Sequence, residues 1–229
     1  MDELTNSFRE KLHDLGADQC GFGDITELPP DARAGLPVGV SIAVHVPSHI
    51  VQGIAELPTR EYYDFYVRAN ELLDSIATEG AEFLSSLGYA AVALTRANAG
   101  YGETELQTTL PYKTVATRAG IGWIGKCALL VTKERGPMLR LSSILTNAPL
   151  ETAQPVNESR CGNCSACKDA CPGGAVSGKN WEKGMPREEF FDAAKCKQAA
   201  RERSKQGFGG MATICGKCIE ACPYSRRAF

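Results

Sequence analysis

The chain has 229 residues, of which 43% are hydrophobic, and a formal net charge of −2. This composition is typical of a packed globular protein with room for one full-sized domain and a smaller one. The near-neutral charge argues against nucleic acid as a partner, because phosphate binding requires a concentrated basic face. The longest apolar segment, residues 38–46, is too short to span a membrane.

Hydrophobic periodicity predicts helices that alternate with strands before residue 150. Leu4, Phe8 and Leu12 recur at helical spacing, and Gly16 follows where such a helix would end. Residues 39–46 are rich in Val and Ile, which favours a buried strand. The same criteria predict a long helix from Thr59 to Gly88, a shorter helix at 112–119, and strands at 89–94, 129–131 and 139–145. Strands that alternate with helices indicate an α+β, or α/β-like, fold.

Eight of the ten cysteines lie in two clustered runs near the C-terminus. The runs are Cys161-x2-Cys164-x2-Cys167-x3-Cys171-Pro172 and, after an outlying Cys196, Cys215-x2-Cys218-x3-Cys222-Pro223. Two or three residues between thiolates allow successive sulfurs to reach different irons of one compact cube. The pattern therefore predicts two [4Fe-4S] clusters and an electron-transfer role.

The ligands of the two clusters are expected to cross between the runs, because in bacterial two-cluster proteins the fourth cysteine of a run ligates the other cluster. The second run is one ligand short, since Ala212 stands where its first cysteine would be. Cys196 is the expected substitute. The predicted first cysteine group is Cys161, Cys164, Cys167 and Cys222, and the predicted second cysteine group is Cys171, Cys196, Cys215 and Cys218.

Zinc and disulfide bonds are the alternatives for clustered cysteines. Paired C-x2-C units also occur in zinc ribbons, but three cysteines in register followed by a fourth and a proline are difficult to arrange around tetrahedral ions. A disulfide framework requires an oxidising compartment. The N-terminal segment is acidic and amphipathic and has no apolar signal-peptide core, which predicts a cytoplasmic location.

A change of composition at Glu151–Pro155 indicates a linker between domains. We expect an α/β cofactor and substrate domain at residues 1–155 and a ferredoxin-like double-cluster domain at residues 156–229. The second domain is small and poor in apolar residues, so cluster ligation is expected to supply much of its folding free energy. Its basic stretch, residues 195–205, is either a surface for an anionic partner or a solvated helix face.

Three segments resemble a known group of enzymes: RAGIGWIGK, LLVTKERGPMLRLSSILTNAPL and CGNCSACKDACPGGA. Together they are similar to epoxyqueuosine reductases and, in the part GPMLRLSSILTNAPL, to the related reductive dehalogenases. The resemblance extends from Leu110 to Pro223. It implies a nitroreductase-like corrinoid-binding domain followed by a bacterial-ferredoxin-like double [4Fe-4S] domain.

The resemblance also implies the function of a cobalamin-dependent iron-sulfur reductase. Electrons from a low-potential donor such as ferredoxin or flavodoxin would pass through the clusters to a corrinoid cobalt, which would reduce a small-molecule substrate. The residues implied along the corrinoid edge are Lys113, Arg118, Gly120, Gly122, Trp123, Gly125 and Lys126. The alternative is that these glycines only pack a loop over the first cluster.

Two features depart from epoxyqueuosine reductases. Those enzymes carry an acidic proton donor upstream of the glycine segment, and counting back from Trp123 places Leu106 at that position. The extension with which longer relatives recognise tRNA is also missing, so a substrate other than tRNA epoxyqueuosine is expected. Tyr101, Glu103 and Tyr112 are the candidate catalytic proton sources, since a phenol beside a cation can be tuned for proton transfer.

Two other interpretations remain open. The chain could be an iron-sulfur electron-transfer protein that delivers electrons to a partner enzyme or corrinoid protein and has no substrate site of its own. A flavin could also replace the corrinoid in the first domain. Cys20 and Cys127 lie outside the cluster pattern and are predicted to be inert buried thiols.

Overall fold

The computed structural model describes residues 3–100, 102 and 106–229. These residues form two compact units, neither of which is continuous in sequence. The first unit comprises the described residues of Met1–Val44, Arg68–Gly122 and Arg140–Val156. The second comprises His45–Val67, Trp123–Leu139 and Asn157–Phe229. In this described part of the chain, no helix combines the length and the apolar character needed to cross a bilayer.

Helices and strands alternate in the first two thirds of the chain, and helices follow. The α-helices are α1 (Glu3–Asp14), α2 (Ser48–Gly53), α3 (Arg60–Ser86), α4 (Tyr112–Arg118), α5 (Ala166–Asp169), α6 (Ala193–Phe208), α7 (Lys217–Glu220) and α8 (Pro223–Arg226). The strands are β1 (Gln19–Asp24), β2 (Val38–His45), β3 (Ala91–Leu94), β4 (Trp123–Ile124), β5 (Leu130–Val131) and β6 (Leu139–Thr146). A short 3-10 helix spans Arg187–Glu189. The predicted mixed α/β fold is confirmed.

A four-stranded sheet with the order β1-β2-β6-β3 forms the centre of the first unit. Strands β1 and β2 are antiparallel, and so are β3 and β6. One side of the sheet packs on α1 and α3, where Phe8 stacks on Phe22 and Phe83 with ring centroids 6.0 and 5.8 Å apart. The other side packs on α4 through a cluster that includes Ile25, Val115 and Leu145.

The ends of the predicted helices agree with their local chemistry. Gly16 follows α1 with a φ of +106°, and Gly88 follows α3 with a φ of +88°. Both are left-handed conformations that favour glycine and terminate helices. The Thr59 hydroxyl accepts a hydrogen bond from the backbone N–H of Tyr62 at 3.2 Å and so caps the start of α3.

Strand β1 is absent from the predictions because two of its residues are glycines. These glycines are required by the packing of α4 directly on the strand. A Cβ atom on Gly21 would lie 2.9 Å from the Ala119 carbonyl oxygen, and one on Gly23 would lie 2.5 Å from the Ala119 nitrogen. Glycine lowers the intrinsic strand propensity of this segment, so the strand depends on tertiary contact.

The second unit combines the cysteine-rich segment with residues from the first two thirds of the chain. Its main core contains residues of α2, Tyr62 of α3, Met138, Ile214 and Ile219. Polar contacts join the same segments, since Lys217 donates from Nζ to the Ala55 carbonyl at 2.6 Å and Ser48 donates to the Ala228 carbonyl at 2.6 Å. The predicted boundary at 155/156 lies next to the last change of unit, at Val156/Asn157. The segments 45–67 and 123–139, in contrast, lie in the second unit and not in the domain predicted for residues 1–155.

Candidate metal centre

All four members of the predicted first cysteine group surround one cavity in the second unit. The cavity is lined by Cys161, Cys164, Cys167 and Cys222, together with Cys218. The remaining wall residues are Gly125, Lys126, Cys127, Val131, Pro223 and Tyr224. In the part of the chain that the structure describes, no three Cys, His, Asp or Glu side chains converge on a single point as for one metal ion. The thiols instead surround a volume, as the ligands of a cluster do.

Hydrogen-bond donors are directed at sulfur atoms in this cavity. Trp123, in β4, donates from its indole Nε1 to Cys161 Sγ at 3.4 Å. Cys222 accepts hydrogen bonds from the backbone N–H groups of Tyr224 and Ser225, which lower the pKa that its burial raises. The Tyr224 ring packs edge-on against Trp123 with centroids 5.1 Å apart. These donors stabilise negative charge on the sulfurs, which is what thiolate ligands of iron require.

Lys126 places an ammonium group in the same cavity wall. Its side chain is only 6% exposed, and its Nζ donates a hydrogen bond to the Cys164 carbonyl at 2.8 Å. The positive charge acts on Cys167, where it opposes a rise in pKa caused by the hydrogen bond with Cys127, by burial and by the charge of Cys127. A buried cation beside these thiols offsets part of their combined negative charge.

Three members of the second cysteine group also lie close together. Cys196 is on α6, and burial together with the charges of Cys171, Cys215 and Asp192 raises its pKa to about 11. Cys171 accepts a hydrogen bond from the backbone N–H of Ala175 at 3.3 Å. Asp192 is the N-cap of α6 and accepts from the backbone N–H of Lys195 at 2.9 Å. Cys196 thus lies beside Cys171 and Cys215, as its prediction as a substitute ligand requires.

Cys218 and Cys127 lie next to the thiols of the first cysteine group. Cys218 is predicted for the second cysteine group, but it also lines the cavity of the first. Cys127 is buried, and contacts with Cys167 and Cys218 accompany a pKa well above its ordinary value. The hydrogen bond with Cys167 lowers the pKa of Cys127. The hydrogen bond with Cys218 and burial raise that pKa, and their combined effect is larger. The burial predicted for Cys127 is present, although its position next to the predicted ligands was not expected from the sequence.

Glu220, between Cys218 and Cys222, is a structural residue that the sequence interpretation missed. Its carboxylate accepts from Lys217 Nζ at 2.9 Å and from Arg226 Nη2 at 2.7 Å. Burial raises its pKa, but the hydrogen bonds from Lys217 and Arg226 outweigh that effect and leave the pKa below its usual value. The three residues join α7 to α8 and so fix the loop that carries Cys222. The Lys-x-x-Glu spacing on α7 is the signal that could have found this pair.

The residues predicted along a corrinoid edge divide between the two units. Trp123, Gly125 and Lys126 belong to the second unit and surround the first cysteine group, with contacts to Cys161 Sγ and the Cys164 carbonyl. For these three, the geometry favours the alternative interpretation, in which the glycine segment packs over the first cluster. The other four, Lys113, Arg118, Gly120 and Gly122, lie in the first unit.

Arg118 is already engaged in a structural contact. Its side chain is 3% exposed, and it donates to Glu27 Oε1 at 2.6 Å and to the Val156 carbonyl at 2.7 Å. Gly120 faces the same segment, because a Cβ atom there would lie 3.0 Å from both Ala153 Cβ and the Gln154 carbonyl oxygen. Beside Arg118 is a cleft lined by Asp24, Thr26, Glu27 and residues 152–155. These contacts attach the predicted linker, residues 151–155, to the first unit.

Of the candidate proton sources, Tyr112 lies within the described residues, whereas Tyr101 and Glu103 lie outside them. Tyr112 is the first residue of α4 and is half-buried. Burial and the negative charge of Asp74 raise its pKa, and the positive charges of Arg96 and Arg140 act in the opposite direction. The phenol therefore keeps its proton at neutral pH, as a proton donor must.

The donor sets give different answers for the two implied cofactors. A cavity walled by thiols, with N–H donors and a cation directed at them, fits an iron-sulfur cluster. Arg118 contacts Glu27 and Val156, and Trp123 and Lys126 contact Cys161 and Cys164. These three residues therefore do not fit as corrinoid contacts. Lys113, Gly120 and Gly122 remain predicted corrinoid contacts.

Comparison with known proteins agrees with this geometry. Residues 160–225 match the family model for the 4Fe-4S double cluster binding domain. Over 132 residues, or 53% of this chain, the sequence is 35% identical to an epoxyqueuosine reductase from Synechococcus sp. (strain CC9605). The match covers only 38% of that relative. The chain therefore carries a double [4Fe-4S] domain and is homologous to part of the epoxyqueuosine reductases.

Solved structures extend the likeness to nearly the whole chain. A reductive dehalogenase structure, described as suggesting a mechanism for B12-dependent dehalogenation, aligns with 97% of this chain and 33% of its own, with a TM-score of 0.72 and 18% identity. An epoxyqueuosine reductase solved with an epoxyqueuosine-modified tRNA-Tyr stem loop aligns with 98% of this chain and 66% of its own, with a TM-score of 0.64 and 22% identity. At such identities the likeness establishes the fold. The sequence match to the epoxyqueuosine reductase and the double-cluster domain confirm the resemblance that the motifs indicate.

Proposed function

We propose that this protein is an iron-sulfur oxidoreductase related to epoxyqueuosine reductases, which takes electrons from a low-potential donor and delivers them to a bound cofactor and substrate. The observation that carries the proposal is the convergence of Cys161, Cys164, Cys167 and Cys222 on one cavity within a double [4Fe-4S] domain. When bound, two such clusters accept and pass on single electrons. A cytoplasmic location belongs to the proposal, because a reducing compartment preserves the thiols.

The chain's own residues would hold the clusters and insulate them. The cysteines supply thiolates, and Trp123 with the backbone amides of Tyr224 and Ser225 stabilises their charge. Glu220, through Lys217 and Arg226, holds the loop that carries Cys222. Gly125 and Val131, both buried, belong to the cavity wall and would limit the access of water to a cluster bound there. Limited solvent access is one of the factors that determine cluster potentials.

A corrinoid is the electron acceptor that we propose within the first unit. The support is the fold, which is shared with a protein described as acting in B12-dependent dehalogenation. A bound corrinoid would supply a cobalt centre that takes up these electrons. The predicted contacts from this chain are Lys113, Gly120 and Gly122, and the half-buried Tyr112 would hold the proton that the reduced substrate receives. A flavin in the same unit is the alternative.

Two substrate classes follow from the comparisons. One neighbour is solved with a modified tRNA stem loop, so tRNA stays a candidate although Leu106, in place of an acidic residue, and the net charge argue against it. The other neighbour is a dehalogenase, which makes a halogenated organic compound the small-molecule candidate. The test is oxidation of chemically reduced viologen by the cluster- and cobalamin-loaded protein, with an epoxyqueuosine tRNA stem loop or a bromophenol as substrate. Turnover of either supports an enzyme, and turnover of neither by a protein whose clusters are reduced supports the electron-transfer alternative.

Replacement of Tyr112 by phenylalanine is expected to lower kcat with the accepted substrate by about 10²-fold, the usual contribution of a general acid. The ring and its packing are retained, so KM and iron content are expected to stay unchanged. The wild-type rate should also fall above pH of about 10, because burial and Asp74 raise the phenol pKa above that ordinary value. Tyr89 lies in the same unit, and Tyr89→Phe is the matched control. An unchanged kcat in Tyr112→Phe would remove Tyr112 from the mechanism.

A further inference from the structure

The surroundings of the two cysteine groups differ in charge, and this difference bears on the direction of electron flow. The reduction potential of a [4Fe-4S] cluster depends on nearby charge, hydrogen bonds to sulfur and solvent exposure. A positive charge or an N–H donor stabilises the reduced cluster, which carries one more negative charge, and so raises the potential. A nearby carboxylate has the opposite effect.

The first cysteine group lies in an electropositive site. Lys126 is nearly fully buried in the cavity wall, and its charge acts on Cys167. Trp123 donates to Cys161 Sγ, and two backbone amides donate to Cys222. The Arg160 guanidinium also lies 5.9 Å from the centroid of the Trp123 ring. Because Lys126 is buried, its charge is weakly screened by water and ions and acts strongly on a cluster in this cavity.

The second cysteine group has a different environment. Cys171 accepts one backbone hydrogen bond, from Ala175. Asp192 lies one helical turn before Cys196, whose backbone N–H donates to the Asp192 carbonyl at 3.1 Å. Burial and the charges of Cys171 and Cys215 raise the pKa of Cys196, and the negative charge of Asp192 acts in the same direction. Lys195 approaches Asp192 at 3.5 Å, but both side chains are largely exposed, so this pair is screened by solvent. The Asp192 carboxylate is also fixed in place as the N-cap of α6.

We infer that the cluster of the first cysteine group has the higher reduction potential, that Lys126 is the positioning residue that sets most of the difference, and that electrons pass from the second cluster to the first. This inference rests on the proposed double-cluster function. It assigns a role to the lysine of the GWIGK segment, which contacts the first cluster's loop through the Cys164 carbonyl. Electron entry is then at the cluster beside α6, and exit is at the cluster beside β4.

The test is an anaerobic redox titration of the complete, cluster-loaded chain, followed by electron paramagnetic resonance. The wild-type protein should show two midpoints, and Cys196→Ala, which removes a ligand of the second cluster, should retain only the higher one. Lys126→Met is expected to lower the higher midpoint by about 59 mV, equivalent to a tenfold change in a one-electron equilibrium. The lower midpoint should move by less, because Cys171, Cys196 and Cys215 do not line the cavity that contains Lys126.

Matched variants separate charge from packing. Lys126→Arg keeps the charge and should restore most of the wild-type midpoint, whereas Lys133→Met removes an exposed lysine of the same unit and should leave both midpoints unchanged. If Lys126→Met does not retain its clusters, the same titration of Trp123→Phe tests the inference. Loss of the indole N–H that donates to Cys161 Sγ should lower the higher midpoint by a smaller amount. An unchanged higher midpoint, equal shifts of both, or a shift of the lower one would overturn the inference. A chain without about eight irons would instead overturn the proposed function.

Discussion

Replacement of Cys222 by alanine is expected to remove about four of about eight irons from the anaerobically purified protein, since each [4Fe-4S] cluster needs four thiolates. Cys222 comes from the second cysteine run, but its side chain lies with those of Cys161, Cys164 and Cys167. The lost cluster is therefore predicted to be the one held mainly by the first run. Cys196→Ala should remove the other cluster, and Cys222→Ala combined with Cys196→Ala should remove both. Iron and acid-labile sulfide measured on the same samples check these expectations.

Cys20→Ala is the control, because Cys20 is buried in the first unit, where its Sγ lies 3.9 Å from His13 Nε2, whereas all predicted ligands belong to the second unit. It should keep the full iron content. Cys218→Ala tests which cluster Cys218 ligates, since Cys218 lines the cavity of the first group but is predicted for the second. A full iron complement in Cys222→Ala would contradict the crossed arrangement of ligands.

Replacement of Gly23 by alanine is expected to lower the free energy of unfolding by about 3 kcal/mol, at the upper end of the usual cost of overpacking. The new Cβ atom would lie 2.5 Å from the Ala119 nitrogen and 2.7 Å from the Arg118 carbonyl oxygen. Backbone atoms cannot rotate away as the end of a side chain can, so α4 would have to move from β1. Denaturant unfolding followed by circular dichroism measures the change.

Gly53→Ala provides the comparison. Gly53 is the last residue of α2, and a Cβ atom there would have no neighbour within 4 Å. We expect an effect below about 1 kcal/mol for this substitution. If Gly23→Ala were as well tolerated as Gly53→Ala, the close approach of α4 to β1 would be wrong, and so would the position of Arg118 beside Glu27.

Much of the first unit could be predicted because local signals determine its elements. The apolar periodicity of α1 and α3 is strong, and Thr59, Gly16 and Gly88 end these helices in the expected way. Strand β1 could not be predicted, because its glycines serve a contact with α4 that is distant in sequence. The composition of the second unit was also inaccessible, since residues 45–67 join it only through tertiary contacts such as those of Ile54 and Tyr62.

The candidate site, like the fold, could be predicted from the sequence only in part. The spacing of the cysteines predicts two clusters, and the double [4Fe-4S] domain at residues 160–225 confirms that prediction. The segment GWIGK was identified as functional, but its sequence does not reveal which cofactor it contacts. Only the fold shows that Trp123 and Lys126 face the thiols of the first cysteine group. Glu220 was missed because the Lys-x-x-Glu spacing indicates an ion pair only on a helix, and the sequence did not predict the four-residue helix α7.

The most direct test of the central claim is a combined analysis of iron, sulfide, zinc, cobalt and flavin in protein purified without oxygen from cells supplied with cobalamin. The account predicts about eight irons and eight sulfides per chain, as two [4Fe-4S] clusters require, together with about one cobalt. The same iron and sulfide with flavin in place of cobalt would change the proposed acceptor but not the double-cluster centre. Zinc without sulfide would contradict the central claim.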